Sequence, residues 1–481
     1  VIIGEDAGKN QTTADNNVII GQGAGEQVTE GHTNTLIGSQ AGDALTTGDE
    51  NVAVGHGALD GTATGNGNTA VGTDSMGKSN YNASYNTAVG YNAMLNATTA
   101  TGTTAIGTQA LDALTTGAQN TALGASALGA STTASYNTAV GASALVVNTT
   151  GAQNTAVGAF ALQSNTTGSP NTALGYDALG DNTTAAGNTA VGWASLSKTT
   201  TGYANTAVGQ SALTANTTGF SNVAFGHNTL DASTTGDNNT ALGKSALSSN
   251  TTANSNTAVG TSALFTNTTG AFNAAMGNDA LRTNSTGGSN IAIGVSALYA
   301  NTTASNNVAV GTNAMLGTTT GASNVAVGSS ALRTNTTGLE NTAIGLNALY
   351  SNTSANYNTA LGYVAMQDNT TGTQNVAVGR NTLANNTTGD YNTGSGYSAL
   401  SEVTTGAQNT GFGRLAGSGL TTGQNNTFIG YFARPSTISQ TNANVIGHSV
   451  VGAAGYTTLG VGTSDIRAGN GTATWAAVSD E

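Results

Sequence analysis

The sequence predicts an all-β chain: a parallel β-solenoid of about 27 coils, 17 residues to the coil. Three observations predict it. A single phrase recurs along the chain: Asn-Thr-Ala-Val-Gly, two variable residues, Ala-Leu, and then Asn-Thr-Thr-Gly, as in Asn137 to Gly151. Its first glycine returns at a step of 17 from Gly90 to Gly447 and from Gly4 to Gly72, with one step of 18 between Gly72 and Gly90. A fixed period this short is the mark of coils stacked one on the next. The third observation is composition. There are 68 glycines and only 2 prolines, 7% of residues are charged, and no long amphipathic segment exists that a helix could use. Each interior glycine would cost a helix about 1 kcal/mol.

Taken in order from its Asn, the repeat opens with a short strand. The second position is mostly Thr or Val and the fourth is nearly always Val, Leu, Ile, Phe or Met, with Ser395 an exception. These two share one face, and the third, usually Ala, points to the other. The exceptions at the third position cluster near the ends: Ile2, Ile19, Leu36, Gly394, Gly411 and Phe428. A small third residue predicts close approach of another backbone. The fifth position is glycine throughout, represented by Gly141, Gly158, Gly175, Gly192 and Gly209. Such a position needs a positive φ or has no room for a Cβ, and is read as the corner that ends the strand.

The Ala-Leu pair is read as a second short strand. Its large residue, at Leu145, Leu162 and Leu179, should stack into an apolar column, with Met76, Met94, Met315 and Met366 substituting. The expected core of a coil is thus one Val, one Leu and some Ala. Asn-Thr-Thr-Gly closes the coil, with glycine supplying the last reversal. The opening Asn, Asn137 and Asn154 for example, should bond neighbouring turns in a ladder. Ala-Gly replaces Ala-Leu at Ala7-Gly8, Ala24-Gly25, Ala41-Gly42 and Ala416-Gly417, which should narrow or reshape those coils. The repeat domain is placed at 1–434, and 435–481 is read as a different, irregular terminal segment. Pro435 cannot donate to a ladder, and one degenerate copy, Asn444 to Gly447, adds a last coil.

Composition also limits function. The net charge of −13 includes no basic stripe, so nucleic acid is not an expected partner. The acidic residues gather early, from Glu5 to Glu50, and are read as a solvated end. There is no cysteine, hence no disulfide or thiolate metal site. No apolar run is long enough for a membrane helix, and Val1 opens inside a repeat, so the chain is read as part of a longer product. No cofactor or metal is expected. His32, His56, His227 and His448 are read as scattered surface substitutions. Sequons such as Asn148-Thr149-Thr150 are read as turn chemistry. Tyr91, Tyr176, Trp193, Tyr363, Tyr397 and Tyr431 follow the invariant glycine and are possible sugar contacts. Ice binding on a threonine face is set aside, because Thr149 and Thr150 in a strand would face opposite ways.

The Asn-Thr-Ala-Val-Gly-x-x-Ala-Leu phrase, over residues 1–434, resembles the head repeats of YadA-like trimeric autotransporter adhesins. That resemblance implies a left-handed β-roll and a homotrimer, intertwined or side by side. The stretch from Thr457 through Asp465-Ile466-Arg467 and Trp475 to Ser479-Asp480-Glu481 resembles the approach to the intramolecular chaperone of endosialidase-type phage tail fibres. It implies that Ser479 marks a processing boundary, with the chaperone itself beyond this chain. The expected function is structural, not enzymatic: the rigid trimeric shaft of an extracellular phage tail fibre, with an unknown glycan or protein receptor on the host surface. The alternatives are a bacterial surface adhesin that binds matrix or glycans, and a β-helical glycan-cleaving tailspike. The last would need paired carboxylates.

Overall fold

The computed structural model describes residues 1–78, 82–471 and 474–477. The chain divides into two compact units, Val1–Asn239 and Thr240–Glu481. Each is a parallel β-solenoid, together about 27 turns of about 17 residues, and no helix occurs among the described residues.

In the first unit each regular turn contributes one strand of three residues, such as Thr138–Val140. It pairs in parallel with the strands before and after it, and like residues fall opposite one another: Ala139 faces Ala156, and Ala156 faces Ala173. The extra residue between Gly72 and Gly90 does not disturb this register, since Thr69 still faces Thr87. The second unit repeats the arrangement, with Ala258 opposite Ala275 and Ala343 opposite Ala360. Its parallel pairing runs past residue 434. Arg434–Pro435 pairs with Val451–Gly452, and Asn444–His448 pairs with Thr427–Ile429 on one side and Tyr456–Val461 on the other. The pattern then turns antiparallel: Tyr456–Val461 folds back on Ser464–Gly469, which carries Ala476–Ala477 at its edge.

The strand turns its third residue inward. Ala139 is fully buried, whereas Thr138 and Val140 are partly exposed. The expectation that Val belongs to the core is therefore corrected, and the interior of a turn is Ala139, Ala144, Leu145 and two asparagines. The reason is space. Where the third residue is Gly411, an added Cβ would lie 2.7 Å from Leu400 Cγ and 3.2 Å from the Ala416 carbonyl oxygen. Only a methyl group or less fits between the strand and the leucine column.

A second correction concerns Ala-Leu. It is a turn and not a strand, with Ser143 at φ 55° and Leu145 at φ 52°. Backbone bonds between turns continue through it: Leu145 N–H donates to the Ala161 carbonyl at 3.0 Å. From Gly8 to Gly417 this left-handed position holds Leu, Met or Gly and no β-branched residue, the class most crowded by such a backbone. Burial of each leucine contributes about 2 kcal/mol.

The coils that lack this leucine are reshaped inside. Their volume comes from the strand side. Beside Gly42 lies Leu36, whose Cδ2 is 2.9 Å from where a Cβ would stand, and Phe428 similarly lies 3.1 Å from that position at Gly417. Both Leu36 and Phe428 are fully buried. Ile2, Ile19, Leu36 and Phe428 thus stand against Gly8, Gly25, Gly42 and Gly417, a large strand residue beside each missing leucine. Leu36→Ala is expected to cost about 3 kcal/mol through the cavity it opens. Adding Gly42→Leu, at φ 59° where a leucine already sits at Leu59 with the same angle, should restore most of that loss. Hydrogen exchange at residues 35–59 checks both variants; a double variant no better than Leu36→Ala would refute the volume exchange.

Candidate functional site

The residues singled out in the sequence come together as parallel columns, one atom group per turn. Gly141 has φ +138°, and a Cβ there would lie 2.5 Å from the Gly158 carbonyl oxygen of the next turn. Gly158, Gly175, Gly192 and Gly209 occupy the same place, with φ between 130° and 140°. The closing glycine differs. Gly151 has no positive φ, and a Cβ would instead meet the Gly168 carbonyl oxygen at 2.7 Å and the Asn148 amide. It provides clearance between turns and not a reversal.

Leu145, Leu162 and Leu179 form a fully buried column. The Asn137 and Asn154 side chains form the ladder. Asn154 N–H donates to Asn137 Oδ1 at 2.9 Å, and Asn154 Nδ2 donates to the Gly168 carbonyl at 2.9 Å. Asn154 Oδ1 in turn accepts from Asn171 N–H at 2.9 Å, so this buried amide is bonded through both its oxygen and its nitrogen, which offsets the cost of burying it. A second ladder was missed in the sequence. Asn165 Nδ2 donates to Asn148 Oδ1 at 2.8 Å, and Asn148 Nδ2 donates to the Gly151 carbonyl at 2.9 Å. The sequon asparagine Asn148 is fully buried in these bonds and offers no site for a glycan in the folded chain. Thr149 and Thr150 lie in a bend and not in a strand; Thr149 is partly exposed and Thr150 is exposed. Ser479 lies outside the described residues.

Two outward columns are candidates for contact with other molecules. The fourth strand position places large apolar side chains outside, one per turn. In the first unit Leu123, Leu174 and Phe225 are exposed there, and in the second unit Met276, Leu361 and Phe412 are. The position after the invariant glycine carries the aromatics. In the first unit Tyr176 and Trp193 are both exposed on adjacent turns. In the second unit the column reads Tyr363, Arg380, Tyr397, Arg414, Tyr431, His448. Arg380 lies 5.3 Å over the Tyr363 ring and 5.8 Å over Tyr397, and Arg414 lies 5.7 Å over Tyr397 and 5.3 Å over Tyr431. His448 stacks on Tyr431 at 4.9 Å. Residues separated by a whole period become neighbours, and a search for local motifs does not see them.

The same rule corrects the reading of two histidines. His32 Nδ1 lies 2.7 Å from Asp15 Oδ1, and His56 Nδ1 lies 3.9 Å from Asp74 Oδ1, each pair on adjacent turns. Among the described residues no group of three or more His, Cys, Asp or Glu is placed to hold a metal ion, and no helix is long and apolar enough to cross a membrane. A cavity of about 440 Å³ in the second unit is lined by Glu402, Arg434 and Ile438 among others, with Glu402 its one carboxylate. In the first unit a polar cavity of about 350 Å³ carries Asp6, Glu26 and Asp43.

The acidic end is more than a solvated surface. Asp60 follows Glu26 and Asp43 in one column and is half-buried. Burial first, then the charges of Asp43 and Asp74, push its carboxyl from 3.8 up to about 7. A carboxyl raised on folding binds its proton more tightly in the folded state. Its stabilisation is complete below about pH 4 and is lost as the pH rises through about 7. Protection of the turns around Asp60 against hydrogen exchange, corrected for intrinsic rate, should therefore rise on acidification from about pH 8 to about pH 5. Asp60→Asn should flatten that dependence; an unchanged slope would remove Asp60 as its source.

No family model, no curated protein and no solved structure matches the chain.

Proposed function

We propose that the chain is a structural protein, the trimeric shaft of a phage tail fibre or a similar extracellular appendage that supports attachment to a host surface. The observation that carries this reading is the outward apolar column. Phe225 is 53% exposed and Phe412 is 61% exposed, and comparable residues recur at the same strand position within each unit. A stripe of this kind, repeated at every turn, is what an interface between copies needs. Three chains about one axis would cover it on all of them. The interior supports a mechanical role as well. Buried amide ladders and backbone bonds between turns hold the coils without large side chains, so resistance to local opening comes from every turn alike.

A catalytic reading is less well supported. Glycan cleavage uses a pair of carboxylates across a cleft; the larger cavity has Glu402 alone, and Asp6, Glu26 and Asp43 line the smaller one without an aromatic side chain to hold a sugar ring. Native mass by light scattering, against a chain of 46.9 kDa, tests the proposal. A mass of three chains is expected. Charged substitutions at Leu361 and Phe412 should reduce that mass without unfolding the chain. A mass of one chain for the unsubstituted protein would overturn the trimeric shaft.

A further inference from the structure

The alternating column in the second unit has features that packing alone does not require. Arginine also stands over aromatic rings elsewhere in this unit, and at Arg282 and Arg333 it bonds to side chains of the fold. Arg282 donates to the Tyr299 hydroxyl at 2.9 Å and pairs with Asp279 at 3.3 Å, and Arg333 donates to the Tyr350 hydroxyl at 2.8 Å. Arg380 and Arg414 are different. Both are exposed, and among the described residues neither guanidinium has a hydrogen bond or an ion pair. The hydroxyls of Tyr363, Tyr397 and Tyr431 likewise have no hydrogen-bond partner among the described residues, and the three residues are 48%, 43% and 39% exposed.

Each arginine lies between two rings, 5.3 to 5.8 Å from their centroids, with its N–H groups left over for other partners. Tyr397 stands between Arg380 and Arg414, which come from the turns before and after it. What remains for a ligand is a row of phenol hydroxyls and N–H forks. The two arginines stand two turns apart, roughly 10 Å at the usual spacing of paired strands. This is a chain with only 10 Lys and Arg against 23 Asp and Glu, so two guanidinium groups without an ion pair in one column form a local reversal of its charge.

We infer that the column from Tyr363 to His448 binds an acidic polysaccharide, with Arg380 and Arg414 each taking a carboxylate and the tyrosine hydroxyls bonding sugar hydroxyls between them. Planar forks match carboxylates in a bidentate geometry. In an extended glycan alternate sugars present the same edge, so an acid on every second sugar would meet every second turn. The inference deepens the attachment reading by naming a ligand class, and rests on that reading only for its biological use.

The test is calorimetric titration of the full chain with hyaluronan oligosaccharides, which carry a carboxylate on every second sugar, and with a neutral cello-oligosaccharide. Binding of hyaluronan but not of the neutral glycan is expected, weakening with added salt. Arg380→Gln with Arg414→Gln should weaken it at least tenfold, while Arg282→Gln with Arg333→Gln should leave it unchanged. Tyr397→Phe keeps the ring stack and should weaken binding severalfold, which preserves the test if the arginine variant folds poorly. The absence of hyaluronan binding, an equal loss in the Arg282 and Arg333 variant, or equally tight binding of a single-stranded DNA oligonucleotide would overturn the assignment. Native mass separates the two proposals. Three chains without glycan binding would sink this inference alone, and one chain with binding intact would sink the shaft alone.

Discussion

Gly209→Val is expected to open the turn it occupies and the turns on either side, with a loss of about 3 kcal/mol or more. Two independent costs fall on one atom. The residue sits at φ +134°, and its Cβ would run into the carbonyl of Gly226 on the next turn. Neither cost can be relieved separately, because Gly209 N–H donates to the Val191 carbonyl at 2.7 Å and Gly226 N–H donates to the Val208 carbonyl at 2.8 Å. Moving the backbone to admit a side chain breaks one bond or the other. Hydrogen exchange across residues 189–228 measures the effect directly and avoids the dilution that a whole-chain melting curve suffers in a repeat protein. Ala142→Val, on the exposed residue that follows the corner glycine four turns earlier, is the comparison and should change little. Normal protection and normal native mass in the Gly209 variant would refute the corner role.

Leu145→Asp should be more damaging than Leu145→Ala, which itself should cost about 3 kcal/mol. Leu145 is fully buried between the leucines of the turns before and after it. Asp tolerates the φ of 52° better than most residues, so the backbone is not the obstacle. The obstacle is a carboxylate set among leucines with no cation to pair with it, where the nearby Asn148 and Asn165 amides already bond each other and the glycine carbonyls. A buried charge without a partner costs several kcal/mol. Ala142→Asp places the same charge on an exposed residue and should be close to neutral. Equal tolerance at the two positions, read from denaturant unfolding and exchange at residues 128–162, would show that Leu145 is not in the core.

Much of this chain could be read before folding was considered. Equal turns stack, and a stacked turn brings like residues together, so the period of 17 specifies both the solenoid and its columns. The invariant glycine was legible because one residue type occurred and no other. The opening asparagine was legible because a buried ladder is the stable way to repeat an amide. The conformation of the leucine turn also left a trace in the residues and was misread: from Gly8 to Gly417 the column holds no Ile or Val, the residues most crowded by a left-handed backbone. The signal lay in what the column excludes, not in its hydrophobicity.

The facing of the strand was decided elsewhere. Alternation in Thr138-Ala139-Val140 says that Thr and Val share a side, but it does not say which side is inside. Hydrophobicity favours Val. The interior favours Ala, because a turn with a leucine already in it has room opposite for one methyl group, and Gly411 and Leu400 show how little is left. That limit belongs to the closed turn and not to any one residue, and so does its consequence, an apolar column facing out. The Arg380 and Tyr397 contacts have the same origin. The sequence by itself determined the repeat, its glycine corners and its asparagine ladder. The tertiary structure decided which face of each strand is buried and which distant side chains meet, because both depend on the volume enclosed by a turn and on neighbours one period away.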